Sequence, residues 1–404
     1  MKICFFHLMP YRFLPPDFEQ NYRSVWVDVP ASLYDPEKGH GLYNEFLDEL
    51  EFAERMGFDG LCVNEHHQNA YGLMPSPNLM AAALARRTSR AALVVLGNSL
   101  ALYNPPLRVA EEFAMLDVLS GGRLVAGFPL GTSMDTNFGY GVPPATLRDR
   151  YLEAHDLVVQ AWTRHDVFAW NGKYTQLRYV NLWPRPLQKP HPPVWVPGSG
   201  SLETWEWTAR QDYVYCYLSY FGYKAGKKTM DGFWESIARL GADDNPYRAG
   251  FLQLVCVSES DSGAERDYSA HVRYFYQKCL HVWAGFAEAP GYRSARTLKA
   301  AGGGQVGRLT RKVREALTWK DCVEQGYVVA GSPATVREQL REVIRTLRVG
   351  HLMVLLQIGS MPKELTLQNT ELFGREVLPH LREIWPEAKD RWWPSGARNG
   401  ELPR

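Results

Sequence analysis

Short apolar runs alternate with amphipathic segments along almost the whole chain. Ile3 to Met9 is a continuous apolar run of strand length, the pattern of a strand buried on both faces. Leu42 to Met56 places apolar residues at Leu42, Phe46, Leu50 and Ala53, the spacing of one helix face, and Gly57 follows as a stop. The alternation continues with a strand over Phe58 to Val63 and a helix over Asn78 to Thr88. It goes on with a strand over Ala92 to Ala101, a helix over Leu107 to Leu119, and a strand over Leu124 to Phe128. After a Gly- and Pro-rich loop come a helix over Arg148 to Trp162 and an irregular stretch from His165 to Pro186. Asn171-Gly172 marks a small hairpin in that stretch. Val194 to Val196, Tyr213 to Ser219, Phe251 to Val257 and Leu352 to Ile358 supply four more strands. Helices are expected over Leu202 to Arg210 and Ala334 to Leu347.

Eight strands separated by helices predict a parallel sheet with right-handed crossovers. At this length, eight units favour closure into a single (β/α)8 barrel of the TIM type with insertions. No G-x-G-x-x-G follows the first strand, which weakens the open dinucleotide-binding sheet. The barrel is expected to occupy residues 1–385, with a tail over 386–404. The segment from Asp261 to Gly326 is too long for one crossover helix and holds Ala301-Gly302-Gly303-Gly304-Gln305. It is expected to be a helical insertion with a mobile glycine-rich loop, either a linker or a lid.

Composition changes this picture little. The 45 basic and 44 acidic residues nearly cancel, with no basic block, so neither a nucleic-acid track nor an anionic membrane surface is expected. Six scattered cysteines show no C-x-x-C spacing, against a zinc site and against a disulfide framework. The apolar start is too short for a signal peptide, and no run reaches the ~18 residues of a membrane span, so the expected compartment is the cytoplasm. Aromatic residues reach 13%, which suits a large core and equally a flat-walled site for a conjugated ligand.

In such a barrel the chemistry is expected just past the strand ends. After the second strand stand Asn64-Glu65-His66-His67. On a strand, Glu65 and His67 point one way and His66 the other. A carboxylate beside a histidine can fix one tautomer for acid–base work. Three consecutive residues are poorly placed to converge on one metal ion, so no metal is expected. After the fifth strand, Pro197-Gly198-Ser199-Gly200-Ser201-Leu202-Glu203-Thr204 opens a helix, offering unpaired N–H groups and hydroxyls to an anion. The plainer reading is a serine N-cap with glycine in the turn. Gly97-Asn98-Ser99-Leu100 after the third strand and the loop Gly127 to Asp135 after the fourth put small residues near the barrel axis. Close approach of a ligand or of another backbone explains either.

Taken in this order, these places resemble the bacterial-luciferase-like flavin-dependent monooxygenase family over most of the chain. The stretches that carry the resemblance include Asn64-Glu65-His66-His67 with Pro75-Ser76-Pro77-Asn78. They also include Pro105-Pro106-Leu107-Arg108 running on to Ser120-Gly121-Gly122-Arg123, Leu182-Trp183-Pro184-Arg185-Pro186, and Gly331-Ser332-Pro333. The resemblance implies an enzyme that takes reduced FMN from a separate flavin reductase and uses O2 to oxygenate a small organic substrate, as a homodimer. It implies His66 as the catalytic histidine, with Glu65 and His67 completing the candidate catalytic set. It implies Asn98 and Ser99 at the flavin ring, where a non-prolyl cis peptide often follows, here Ser99–Leu100. It implies Ser199, Gly200, Ser201 and Thr204 at the phosphate, flanked by Gly131 and Gly198. Leu130 stands where the family often has a phosphate-clamping arginine, so the charge is expected from Arg150 or from backbone donors alone. Alternatives are a deazaflavin (F420)-dependent hydride-transfer enzyme, a non-catalytic flavin-binding barrel, and a phosphosugar enzyme without flavin.

Overall fold

The computed structural model describes residues 1–131, 134–287 and 316–398. Eight parallel strands close into a barrel: β1 (Lys2–Phe6), β2 (Gly60–Val63), β3 (Ala92–Val95), β4 (Leu124–Gly127), β7 (Val194–Gly198), β8 (Val214–Tyr217), β9 (Ala249–Val257) and β11 (His351–Leu355). They neighbour one another in that order, and β11 returns to β1, with Lys2 opposite His351. Nearly every residue of these strands is buried, because helices cover the outer face and side chains fill the inner one. The nine-residue β9 is the tallest stave. Its start pairs with β8, and its end carries the additional strand β10 (Val328–Gly331), which raises the wall above β8. The expected hairpin is present as β5 (Phe168–Asn171) and β6 (Gln176–Val180).

The predicted helices form close to their expected bounds. Helix α1 (Pro36–Arg55) begins earlier than its apolar pattern does. The Asp35 carboxylate accepts from the N–H groups of Glu37 and Lys38, and Pro36 has the φ a first turn needs. Helix α2 (Pro77–Arg87) is capped by Ser76, and α3 (Leu107–Ser120) ends on Gly121 in the left-handed region. After β4 come α4 (Met134–Tyr140) and α5 (Leu147–Thr163). Helix α6 (Leu202–Arg210) follows β7, and α7 (Gly222–Arg239) follows β8. Helix α8 (Asp261–Tyr274) follows β9, and α9 (Trp319–Glu324) leads into β10. Helices α10 (Pro333–Leu347) and α11 (Lys363–Leu372) flank β11. The glycine-rich stretch Ala301 to Gln305 lies outside the described residues.

Residues 387–398 close the floor of the barrel, at the amino ends of the strands. The Trp195 indole N–H donates to the Trp392 carbonyl at 3.4 Å, and Trp393 stacks on His351 with ring centroids 5.8 Å apart. Asp390 Oδ2 lies 3.1 Å from His351 Nε2, and the Lys2 ammonium sits 5.0 Å from the centre of the Trp393 ring. With the floor sealed by tryptophan, the opposite rim is left for a site. All six cysteines are buried free thiols. Among the described residues no helix is long and apolar enough to cross a membrane.

Candidate active site

Glu65, Ser99, Gly131 and Ser199 follow the carboxyl ends of β2, β3, β4 and β7, four consecutive staves, so they share one rim. Glu65 is buried and well held. Its Oε2 accepts from the Ser99 N–H at 2.7 Å and its Oε1 from the Tyr103 hydroxyl at 2.6 Å. The His67 Nε2 lies 3.1 Å from Glu65 Oε1, within ion-pair distance but not aligned as a hydrogen bond. The other His67 nitrogen, Nδ1, is hydrogen-bonded to the Tyr140 hydroxyl at 3.2 Å, and the two rings meet edge to face. Burial, and then the nearby Glu65 charge, push the Tyr103 and Tyr140 phenols above their ordinary range, so both stay protonated.

His66 has other partners than that pair, and all three residues lie past Val63, the last residue of β2. The His66 side chain is 23% exposed, against 4% for His67 and 1% for Glu65, so it alone of the three reaches the opening. Its Nδ1 lies 3.8 Å from Oδ2 of the buried Asp135 on α4, and its ring meets the edge of Tyr71 at 4.6 Å. The Tyr71 hydroxyl donates to that of Tyr220, which follows β8. Burial pushes the Tyr220 phenol up to about 12. Among the described residues, no three His, Cys, Asp or Glu side chains converge as a metal site.

The β3 end differs from its expected form. Gly97 is glycine because a Cβ there would lie 2.5 Å from the Glu65 nitrogen. Another backbone approaches closely here, and that alone requires glycine. The chain leaves the sheet after Val95 and turns into a short 3-10 segment, Leu100–Leu102. The expected cis peptide at Ser99–Leu100 is not found. Among the described residues the cis bonds all precede prolines, at Pro105, Pro184 and Pro190. The 3-10 turn that follows is closed by the Leu102 N–H donating to the Ser99 carbonyl at 2.9 Å. Asn98 is fully buried. Its amide donates to the Tyr103 hydroxyl at 3.0 Å, and its Oδ1 has no partner. Gly131, at φ +77°, lies against Ser99, whose Oγ would be 3.1 Å from an added Cβ.

At the β7 end, the carbonyl of Gly198, the last residue of the strand, accepts from the Tyr215 hydroxyl, and Ser199 is half-buried. Gly200 sits at φ +105°, where a side chain would be strained. Ser201 is the N-cap of α6. Its Oγ accepts from the Thr204 N–H and hydroxyl at 3.4 and 3.3 Å and donates to Glu203 Oε2 at 2.9 Å. The capping reading is therefore realised at this turn. The cation at the turn is Arg148, not Arg150. The Arg148 guanidinium donates to Ser201 Oγ at 3.3 Å. Arg150 instead lies over the Tyr174 ring at 4.5 Å and donates to the Thr146 hydroxyl. Arg148, two residues before Arg150 in the first turn of α5, reaches across to the start of α6 instead. The buried Trp205 indole N–H beside the turn has no partner. Sequence reasoning missed Tyr103, Asp135, Tyr140 and Arg148 as site residues; only Asp135 lay inside a loop it had marked.

These features match known proteins. The model of the luciferase-like monooxygenase family matches residues 28–349. An uncharacterised Sinorhizobium fredii protein is 28% identical over 349 residues, covering 85% of this chain and 94% of that one. The oxygenase component of a flavin-dependent trigonelline monooxygenase from Acinetobacter baylyi is 31% identical over 160 residues, covering 38% of this chain and 43% of that one. Among solved structures, the oxygenating constituent of 3,6-diketocamphane monooxygenase from Pseudomonas putida, in complex with FMN, superposes with a TM-score of 0.72. It is 20% identical, with 94% of this chain and 98% of that chain covered. An F420-dependent secondary alcohol dehydrogenase superposes with a TM-score of 0.63 at 16% identity, covering 94% and 99%. The chain thus belongs to the luciferase-like monooxygenase family, and is an oxidoreductase of that flavin-dependent, TIM-barrel kind.

Proposed function

We propose that this protein is the oxygenase of a two-component system. It takes reduced FMN from a separate flavin reductase and, with O2, oxygenates a small organic substrate, working as a homodimer in the cytoplasm. The observation that carries the reading is the grouping on one rim of a partly exposed, carboxylate-flanked histidine and a glycine-serine turn reached by an arginine. The relative named as an oxygenase component supports the reductase.

The residues fit a flavin. Gly200 leaves the turn open where any Cβ would meet Thr229, and the unpartnered Trp205 N–H and Arg148 bring donors and charge toward it. Gly198, Ser199, Gly200, Ser201, Thr204 and Arg148 would hold the phosphate. Ser99, with Asn98 behind it and Gly131 beside it, would meet the ring. Reduced flavin supplies the electrons that activate O2. His66 manages a proton at the opening, while Glu65 and His67 fix the β2 end against the Ser99 segment.

The test is turnover with an NADH-driven FMN reductase and a panel of small organic compounds, comparing wild type with His66→Ala. One acid–base residue is typically worth ~10² to 10⁴ in rate. Product in the variant should fall by about that factor and hydrogen peroxide should rise, with the melting temperature unchanged. A stable variant with full product yield would remove His66 from the chemistry.

A further inference from the structure

The two consecutive histidines each face a carboxylate, but from different elements. His67 meets Glu65 of its own strand end, below the surface. His66 meets Asp135, which comes from α4 after the fourth strand. Asp135 is 5% exposed and does not stand there by chance of a flexible chain. Its Oδ2 accepts from the Asn69 amide at 2.9 Å. The same Asn69 amide donates to the His67 carbonyl at 2.9 Å, and Asn69 Oδ1 accepts from the N–H groups of Tyr71 and Gly72, each at 3.1 Å. One asparagine thus ties the loop that carries His66 to the carboxylate that faces it.

On this basis, and resting on the reading of His66 given above, we infer that Asp135 is the positioning residue of His66, fixing its orientation and its tautomer. The carboxylate is 3.8 Å from Nδ1. It favours the tautomer with hydrogen on Nδ1, because a carboxylate accepts and does not donate. The unprotonated Nε2, on the far side of the ring, is then left for the opening. Tyr71 completes the setting. Its ring edge limits rotation of the imidazole, and it is held by Tyr220 across the mouth. Glu65 and His67 are engaged elsewhere, with Ser99, Tyr103 and Tyr140, the last on the same helix as Asp135.

The experiment is nitrogen NMR of the histidine rings in the full chain without flavin, with His66 assigned by its loss in His66→Asn. Wild type should show hydrogen on Nδ1 of His66. Asp135→Asn should move the population to the Nε2–H form that a free imidazole prefers, while Asp135→Glu retains the wild-type form. Turnover of the same variants adds a second readout. Asp135→Asn should lower kcat at least tenfold with KM for reduced FMN unchanged, and Asp135→Glu should recover part of it. An identical His66 tautomer in wild type and Asp135→Asn would overturn the inference. A tautomer change with unaltered turnover would leave the pairing standing and instead sink the role given to His66, so the two failures are distinguishable.

Discussion

Arg148 brings to the β7 turn a positive charge that the loop after the fourth strand lacks at Leu130. The usual position after the fourth strand holds Leu130, which is buried. The guanidinium at the β7 turn comes from the first turn of α5 instead, and its contact with Ser201 Oγ puts it at the N-terminus of α6. A helix start already favours an anion, and a planar guanidinium adds paired donors. Arg148→Ala should therefore weaken reduced-FMN binding at least tenfold, ~1.4 kcal/mol. Arg150→Ala, which loses only its contacts to Tyr174 and Thr146, should bind as wild type. Fluorescence titration of both variants checks this, and wild-type affinity in Arg148→Ala would remove Arg148 from the site. Gly200→Asp is a poorer probe, since at φ +105° any side chain strains the turn by itself.

At the scale of elements, Gly97 shows why strand ends read from apolar patterning overrun. Leu8, Met9, Leu356 and Ile358 are buried like strand residues, yet they lie past the ends of β1 and β11. Burial is written in the sequence, whereas pairing depends on neighbours, and at Gly97 the neighbour is the backbone of Asn64 and Glu65 just past β2. Gly97→Ala should cost about 1–3 kcal/mol through that contact. Chemical denaturation should show it as a lowered midpoint, and an unchanged midpoint would mean the approach is looser than the geometry gives. The barrel order and the hairpin were legible because each strand is a self-contained apolar run and Asn-Gly fixes the turn. Helix α7 was not, since Gly222, Gly226 and Gly232 thin the apolar stripe of Met230, Phe233 and Ile237. The Glu65–His66–His67 motif was legible because it is contiguous. Asp135, Tyr140 and Arg148 were not, because they join the site only through tertiary contacts from α4 and α5.

At the scale of the whole molecule, the exposed side chains show where the proposed homodimer would pair. In α1 the residues Leu42, Phe46, Leu50 and Ala53 face the barrel and are spent in its core. Its outer side carries Asp48 and Glu51, which bind Arg87 at 2.6 and 2.8 Å. The adjacent helices α2 and α3 do expose apolar residues, at Leu79, Met115, Val118 and Leu119. Exposed apolar residues grouped in this way mark an interface more often than a bare surface. Sedimentation at micromolar concentration should give a dimer, and the double variant Met115→Glu, Leu119→Glu should give a folded monomer. A monomeric wild type would contradict the dimer, and a dimeric double variant would place it elsewhere.

The central claim is that the rim formed after β2, β3, β4 and β7 receives reduced FMN, and anaerobic titration of the purified protein tests it most directly. Oxidised FMN, reduced FMN and F420 are added separately and binding is followed by fluorescence or calorimetry. The account predicts that reduced FMN binds at one site per chain with micromolar affinity or better, and that F420 binds at least tenfold more weakly. Tight binding of F420 with no binding of FMN in either redox state would contradict it and make the protein a hydride-transfer enzyme on the same barrel.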